Sequence, residues 1–144
     1  MISYDELKFS KFGFGTASLH HVDKKQRKRL LDMAIDVGIT HFDTAPYYAF
    51  GFAEKYLSAI SSRKNVTISS KCGLYAPGGE DQSLYQMYAR KLTGKIIPKV
   101  SKPIIDFSIE KASKSLDGSR RRLKRDYLDI FLLHEPEVDL LNID

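Results

Sequence analysis

Hydrophobic positions along this chain fall into short apolar runs that alternate with stretches of helical period. Phe9 to Gly15 reads as a first strand, with Gly13 and Gly15 marking close backbone approach near its end, and Thr16-Ala17-Ser18 opens a loop. Asp23 followed by Gln26 makes a capping box; Leu30, Leu31, Ala34 and Ile35 share one face of the helix behind it, and Gly38 closes that helix. Ile39 to Phe42 is an apolar run after a glycine, the pattern of a buried second strand, and Pro46 prevents the ladder from simply continuing. Gly51 leads into a second helix with Ala53, Tyr56, Leu57 and Ile60 at helical spacing, and Glu54 in its first turn suits the dipole. Val66 to Ser70, rich in β-branched residues, is a third strand that terminates in Lys71.

From Cys72 to Asp106 runs a long connection punctuated by Pro77-Gly78-Gly79, Gly94, Pro98 and Pro103, of a length usually functional or mobile. Its middle, Asp81 to Leu92, forms a short helix with Leu84, Tyr88 and Leu92 on one side. Ser108 caps a third long helix with Ile109, Ala112, Leu116 and Leu123 facing in, and Gly118 inside it should cost about 1 kcal/mol relative to alanine. Tyr127 to Leu133 is a fourth strand, ending in His134-Glu135-Pro136, and Asp129 within it predicts a buried hydrogen-bond partner for a neighbouring helix end. The rhythm of strand, helix, strand, helix, strand, long loop, helix, strand argues parallel pairing through right-handed crossovers. This is α/β architecture, and the rhythm fits either an open doubly wound sheet or a (β/α) barrel. In both, ligands gather at the carboxyl ends of the strands.

At 144 residues, 42% of them hydrophobic, the chain has the size of one ordinary domain or part of one. The single Cys72 excludes an intrachain disulfide, and neither a signal-peptide pattern nor an 18-residue apolar run occurs, so a soluble, reducing, cytoplasmic setting is expected with no membrane partner. The net charge of +5 raises the question of anionic partners. Lys24-Lys25-Gln26-Arg27-Lys28-Arg29, however, reads as a solvated helix face, and Arg120 to Arg125 sits at a helix C-terminus where cations favour the dipole. No recognised module or aromatic interleaving accompanies the charge, and nucleic-acid binding is not expected.

Four polar residues fall on one rim of this scaffold: Asp43 ends strand two, Tyr48 follows on its loop, Lys71 ends strand three and His134 ends strand four. An Asp at a strand end is often only a turn or cap residue, so the set carries more weight than any member. Phe12-Gly13-Phe14-Gly15 lacks the later glycine of a dinucleotide fingerprint, no H-x-x-x-H or C-x-x-C spacing suggests a metal, and Cys72 has no identified base. An ammonium beside a phenol favours its ionised form, which makes Tyr48 next to Lys71 a usable acid and base. Asp43 supplies the counter-ion that Lys71 needs, and His134 can donate to a substrate oxygen. Such a set suits polarising a carbonyl and protonating its oxygen. None of these side chains delivers hydride, so a nicotinamide cofactor is implied. His20, His21 and His41 read as surface or packing residues.

Phe14-Gly15-Thr16, the block Gly38 to Tyr48 with Gly51 and Glu54, Ser70-Lys71, and Asp126 to Pro136 together resemble the aldo-keto reductases, from about Phe9 to Pro136. The resemblance implies a (β/α)8 barrel with NADP(H) or NAD(H) at its carboxyl face and a small carbonyl or sugar substrate. Matched by position, Tyr48 is the proton donor, Lys71 and Asp43 tune it, and His134 orients the carbonyl. Asp43 and the Gly15-Thr16 backbone lie near the nicotinamide ribose. Ile104 to Ser108 is similar to the branch of bacterial aldose 1-dehydrogenases. Two departures stand out: the usual glycine after the tyrosine is Ala49, and the family's barrel needs roughly twice this length, about 250 residues being typical of the fold. Residues 1–144 thus correspond to the N-terminal half, about four β/α units, and most cofactor contacts belong to a missing C-terminal half.

Half a barrel leaves its outer strands unpaired and one apolar side uncovered. Three arrangements are open: a fragment or shortened product of a full reductase, a dimer in which two halves complete a barrel, or an incompletely folded remnant. The functional alternative to an oxidoreductase is a catalytically silent half-barrel that acts only through association with another chain.

Overall fold

A computed structural model describes residues 9–94, 97 and 102–137. In chain order these residues form β1 (Gly13–Gly15), α1 (Lys24–Asp36), β2 (His41–Asp43), α2 (Phe52–Leu57), β3 (Thr67–Cys72), β4 (Leu74–Tyr75), α3 (Leu84–Gly94), β5 (Ile104–Ile105), α4 (Ile109–Leu123) and β6 (Ile130–Leu133). β1, β2, β3 and β6 make one sheet in that order, and every neighbouring pair is parallel. Each new strand adds to the same side of its predecessor. A doubly wound sheet reverses direction, whereas a barrel does not, so the order selects barrel-type winding from the two architectures the rhythm allowed. The described strands form an open arc, with β1 and β6 at its edges.

The expected first strand, Phe9 to Gly15, is shorter. Ser10 donates its N–H to Thr40 Oγ1 and its Oγ accepts from the Thr40 N–H at 2.9 Å, so side-chain bonds replace the ladder below Gly13. α1 starts where Asp23 Oδ1 accepts from the N–H groups of Lys25 and Gln26, and ends at Gly38, whose φ of +90° is the left-handed region that a glycine adopts freely. Its Leu31 and Ala34 are buried and Ile35 packs at the margin, but Leu30 turns outward. The core lies between sheet and helices, where Phe42, Ile68, Val66, Leu57, Ile60 and Leu123 join Leu31.

The described residues of the connection from Cys72 to Asp106 hold regular elements. β4 pairs antiparallel with β5, Leu74 opposite Ile105 and Tyr75 opposite Ile104, which staples its two ends. Its helix is α3, but Leu84, Tyr88 and Leu92 face solvent and Met87 is the buried residue. The expected stripe was one turn-angle off, because a short mixed sequence presents more than one apolar face. α4 is capped by Ser108 Oγ, which accepts from Lys111 N, and buries Leu123; Ile109, in the first turn, is exposed. Among the described residues no helix is long and apolar enough to cross a membrane.

Candidate active site

Parallel pairing in register, Gly15 opposite Asp43 and Asp43 opposite Ser69, brings the strand ends together. Asp43 is the last residue of β2. Lys71 is the penultimate residue of β3, which runs one residue further than expected, through Cys72. His134 follows β6 directly, and its N–H donates to Cys72 O at 2.8 Å, so the sheet ladder itself fixes the imidazole's place. Tyr48 starts a 3₁₀ turn, Tyr48–Gly51, that doubles back over the strand ends.

All four expected residues meet on this rim. Lys71 Nζ lies 2.7 and 2.6 Å from the two Asp43 carboxylate oxygens, 2.9 Å from Thr44 O and 3.4 Å from Tyr48 Oη. An ammonium has three N–H bonds. The two carboxylate oxygens and the Thr44 carbonyl take them at short range, so the fourth contact, to Tyr48, is held chiefly by charge. Asp43 Oδ1 also accepts from Ser69 Oγ at 2.9 Å. The Tyr48 ring meets the His134 ring edge-on at 5.4 Å between centroids, and Tyr47 flanks His134 at 6.1 Å. His134 is buried and its Nδ1 has no hydrogen-bond partner among the described residues. Burial, and then the Lys71 charge, push its pKa below the usual imidazole value, which outweighs the opposing pull of Glu135 and Asp43. The imidazole is neutral at neutral pH.

Thr16 is fully buried, and both its N–H and its Oγ1 donate to Asp43 O at 3.0 Å. It therefore tethers the Asp43 backbone. A Cβ added at Gly15 would meet nothing within 4 Å, so the end of β1 is open beside the third-exposed Asp43 carboxylate. That opening and acceptor fit the hydroxyl edge of a ribose. Cys72 is buried and its thiol is raised by desolvation, which keeps it protonated and unsuited to nucleophilic attack. His41 bonds within the sheet, its Nδ1 3.0 Å from Thr67 Oγ1, as a packing histidine does. Asp129 lies just before β6 and accepts from the Ile68 N–H at 2.8 Å and from Arg125, so it serves a strand start as well as the helix end.

Sequence reasoning missed one part of this region. Glu54, read only as a helix-dipole partner, is fully buried; its carboxylate accepts from Arg122 Nε at 2.6 Å and from Ser70 Oγ at 2.7 Å. Gly118 was the available signal. It precedes Arg122 by one helical turn, and a Cβ there would stand 3.0 Å from Arg122 Nη1, so the glycine makes room for the guanidinium. Ala49, where the sequence resemblance implies a glycine, and Phe50 also sit at positive φ, 50° and 57°.

A barrel-type parallel sheet with a charged rim at its carboxyl edge defines a protein of the (β/α)-barrel class. The model of the aldo/keto reductase family matches residues 11–141, and the chain belongs to that family. It is 30% identical over 145 residues to L-galactose dehydrogenase of Arabidopsis thaliana, covering 94% of this chain and 37% of the relative. It is 29% identical over 139 residues to D-threo-aldose 1-dehydrogenase of a Pseudomonas species, with 87% and 40% covered. Among solved structures, an aldo-keto reductase from Bacillus halodurans in its holo form superposes with a TM-score of 0.71 at 26% identity, covering 93% of this chain and 39% of that one. The chain thus spans about two-fifths of the length of the proteins it matches.

Proposed function

We propose that this chain carries the acid–base half of an NAD(P)-dependent oxidoreductase that interconverts a carbonyl, in an aldehyde, ketone or sugar, and the corresponding alcohol. The observation that carries this reading is the ammonium of Lys71, salt-bridged to Asp43 and 3.4 Å from the Tyr48 hydroxyl. A substrate carbonyl oxygen sits between Tyr48 and His134. The neutral His134 has Nδ1 enclosed, which leaves Nε2–H to donate to that oxygen and orient it. Tyr48 gives its proton to the same oxygen as negative charge develops there, and the Lys71 ammonium stabilises the phenolate left behind. Asp43 holds Lys71 in place, and its carboxylate, beside the open end of β1 at Gly15 and Thr16, would hold the ribose of the cofactor. When bound, a nicotinamide cofactor, NADP(H) or NAD(H), supplies the hydride to the carbonyl carbon. Hydride on carbon and proton on oxygen make the alcohol, and the reverse run oxidises it.

Residues 1–144 supply the N-terminal half of the barrel, in a cytoplasmic setting that keeps Cys72 reduced. The sugar dehydrogenases among the relatives favour an aldose as substrate. Consumption of NADPH with a reactive aldehyde tests the reading. Tyr48→Phe should remove turnover while the protein stays folded, and unchanged turnover would refute the acid role of Tyr48. A second reading rests on Leu132 and Leu133, 43% and 49% exposed along β6. There the half-barrel is silent and acts only by pairing with another chain. It predicts no cofactor binding by calorimetry and a mass above the monomer on sizing, and a monomer that binds NADPH tightly disposes of it.

A further inference from the structure

The turn that carries Tyr48 is poorly self-supporting. Ala49 and Phe50 occupy the left-handed region, which residues with side chains rarely adopt and which persists only where the surroundings enforce it. The helix that follows, α2, has six residues, too few to be stable by itself. Ala53 and Leu57 bury its apolar face, and its buried polar tie is Glu54, bonded to Ser70 of β3 and Arg122 of α4. Gly51, the last residue of the turn, lies against the same arginine: a Cβ there would stand 3.0 Å from Arg122 Cδ and 2.3 Å from Glu80 O.

Ser70 and Lys71 are consecutive in β3, so their side chains leave opposite faces of the sheet. Ser70 reaches back to the helices and Lys71 reaches into the rim. The path from Tyr48 through its turn to Glu54, across to Ser70 and so to Lys71 is closed by buried bonds on the helix side of the sheet. A buried ion pair is poor value for stability alone, since an apolar pair of similar volume is often as good. The gap it spans is sensitive: at 3.4 Å, Tyr48 and Lys71 are at the outer limit of hydrogen-bonding distance.

We propose that the buried Ser70–Glu54–Arg122 cluster is a positioning unit that clamps the Tyr48 turn to the Lys71 strand and so sets the spacing between phenol and ammonium. The proposal rests on the acid–base reading above. None of the three residues touches substrate; they act through Tyr48 and Lys71.

Two sets of variants separate positioning from stability. Glu54→Leu with Arg122→Met replaces the ion pair by apolar side chains of similar size and removes the link to Ser70. It should melt at or above the wild-type temperature, yet lose the nuclear Overhauser contact between the Tyr48 ring and the Lys71 side chain. Its kcat should fall at least about tenfold with KM within about twofold. Glu54→Gln keeps both hydrogen bonds, Arg122 Nε–H to the amide oxygen and the amide N–H to Ser70 Oγ, but strips Arg122 of its close charge partner, leaving Asp81, 3.7 Å from its Nη1, among the described residues. It should melt lower, keep the Tyr48–Lys71 contact and keep kcat within about threefold. A purely structural role orders both properties the same way.

The contact between the Phe14 and Phe42 rings, 5.7 Å apart, reports whether the fold is intact. If the double variant loses it, Ser70→Ala, which removes one hydroxyl, decides: the Tyr48–Lys71 contact should weaken, and a wild-type contact overturns the proposal. A folded double variant that keeps both the contact and wild-type turnover overturns it as well, as does a folded Glu54→Gln that loses the contact. Absence of turnover in the wild-type chain, or its persistence in Tyr48→Phe, strikes at the acid–base reading instead. The magnetic-resonance contact still settles the positioning.

Discussion

Replacing Lys71 by methionine tests the electrostatic core of the site, because methionine keeps the length of the stem and removes only the ammonium. On the proposed mechanism, a phenolate forming at Tyr48 in the wild type faces that ammonium across 3.4 Å. Two unit charges at this separation attract by about 5 kcal/mol at the effective dielectric of about 20 that suits partly buried sites. The Asp43 carboxylate, 2.6 and 2.7 Å from the same ammonium, offsets part of this, and about half is a reasonable share. About 2 to 3 kcal/mol of transition-state stabilisation is then lost in Lys71→Met, or about 30- to 150-fold in kcat. Stability should change by less than about 1 kcal/mol, since Asp43 is a third exposed, can hydrate, and keeps its bond from Ser69. The assay is NADPH consumption with a saturating reactive aldehyde, alongside a thermal melt. A folded Lys71→Met with kcat within about threefold of wild type shows that the ammonium does not act on Tyr48, and the mechanism loses its basis.

Two further predictions concern the scaffold. Gly73, between β3 and β4, has φ of +105°, and a Cβ there would lie 2.0 Å from Phe107 Cε1; Gly73→Ala should therefore destabilise by about 2 to 5 kcal/mol in urea unfolding, and a loss under about 1 kcal/mol contradicts the contact. His41 and His134 are both held neutral by burial, with pKa values below 6.5, so the unfolded chain takes up more protons than the folded one as pH falls. Stability is full above about pH 6.5 and should decline as pH drops toward the folded values, a slope that urea midpoints between about pH 7.5 and pH 5 will reveal and that His41→Gln with His134→Gln should flatten.

The parts of the fold set by local signals were legible. Asp23 caps α1 and Ser108 caps α4 as their side-chain chemistry demands, and Gly38 closes α1 at positive φ. Register followed as well: once the apolar runs are taken as parallel strands, Asp43, Lys71 and His134 have to share the carboxyl rim. What failed were features decided at long range. Phe9 to Phe12 resembles a strand by composition, but whether it joins the sheet depends on Ser10 finding Thr40, thirty residues away in sequence. The β4–β5 pairing joins residues on either side of α3, and neither Leu74-Tyr75 nor Ile104-Ile105 is long enough to announce itself.

Glu54 shows why a plausible local account can hide a different fact. A carboxylate in the first turn of a helix has a sufficient reason to be there in the dipole, and a run from Arg120 to Arg125 has one in the opposite helix end, so neither residue asks for a partner. Their pairing spans 68 positions, and it is the only one of the two explanations that accounts for burial of both. The residue that does not fit the local account is Gly118, a helix interior glycine with a propensity cost and no local benefit. A cost without a local return is a pointer to a tertiary contact, and here the contact stands one turn further on, where the arginine that needs the space reaches Glu54 behind the strand of Lys71.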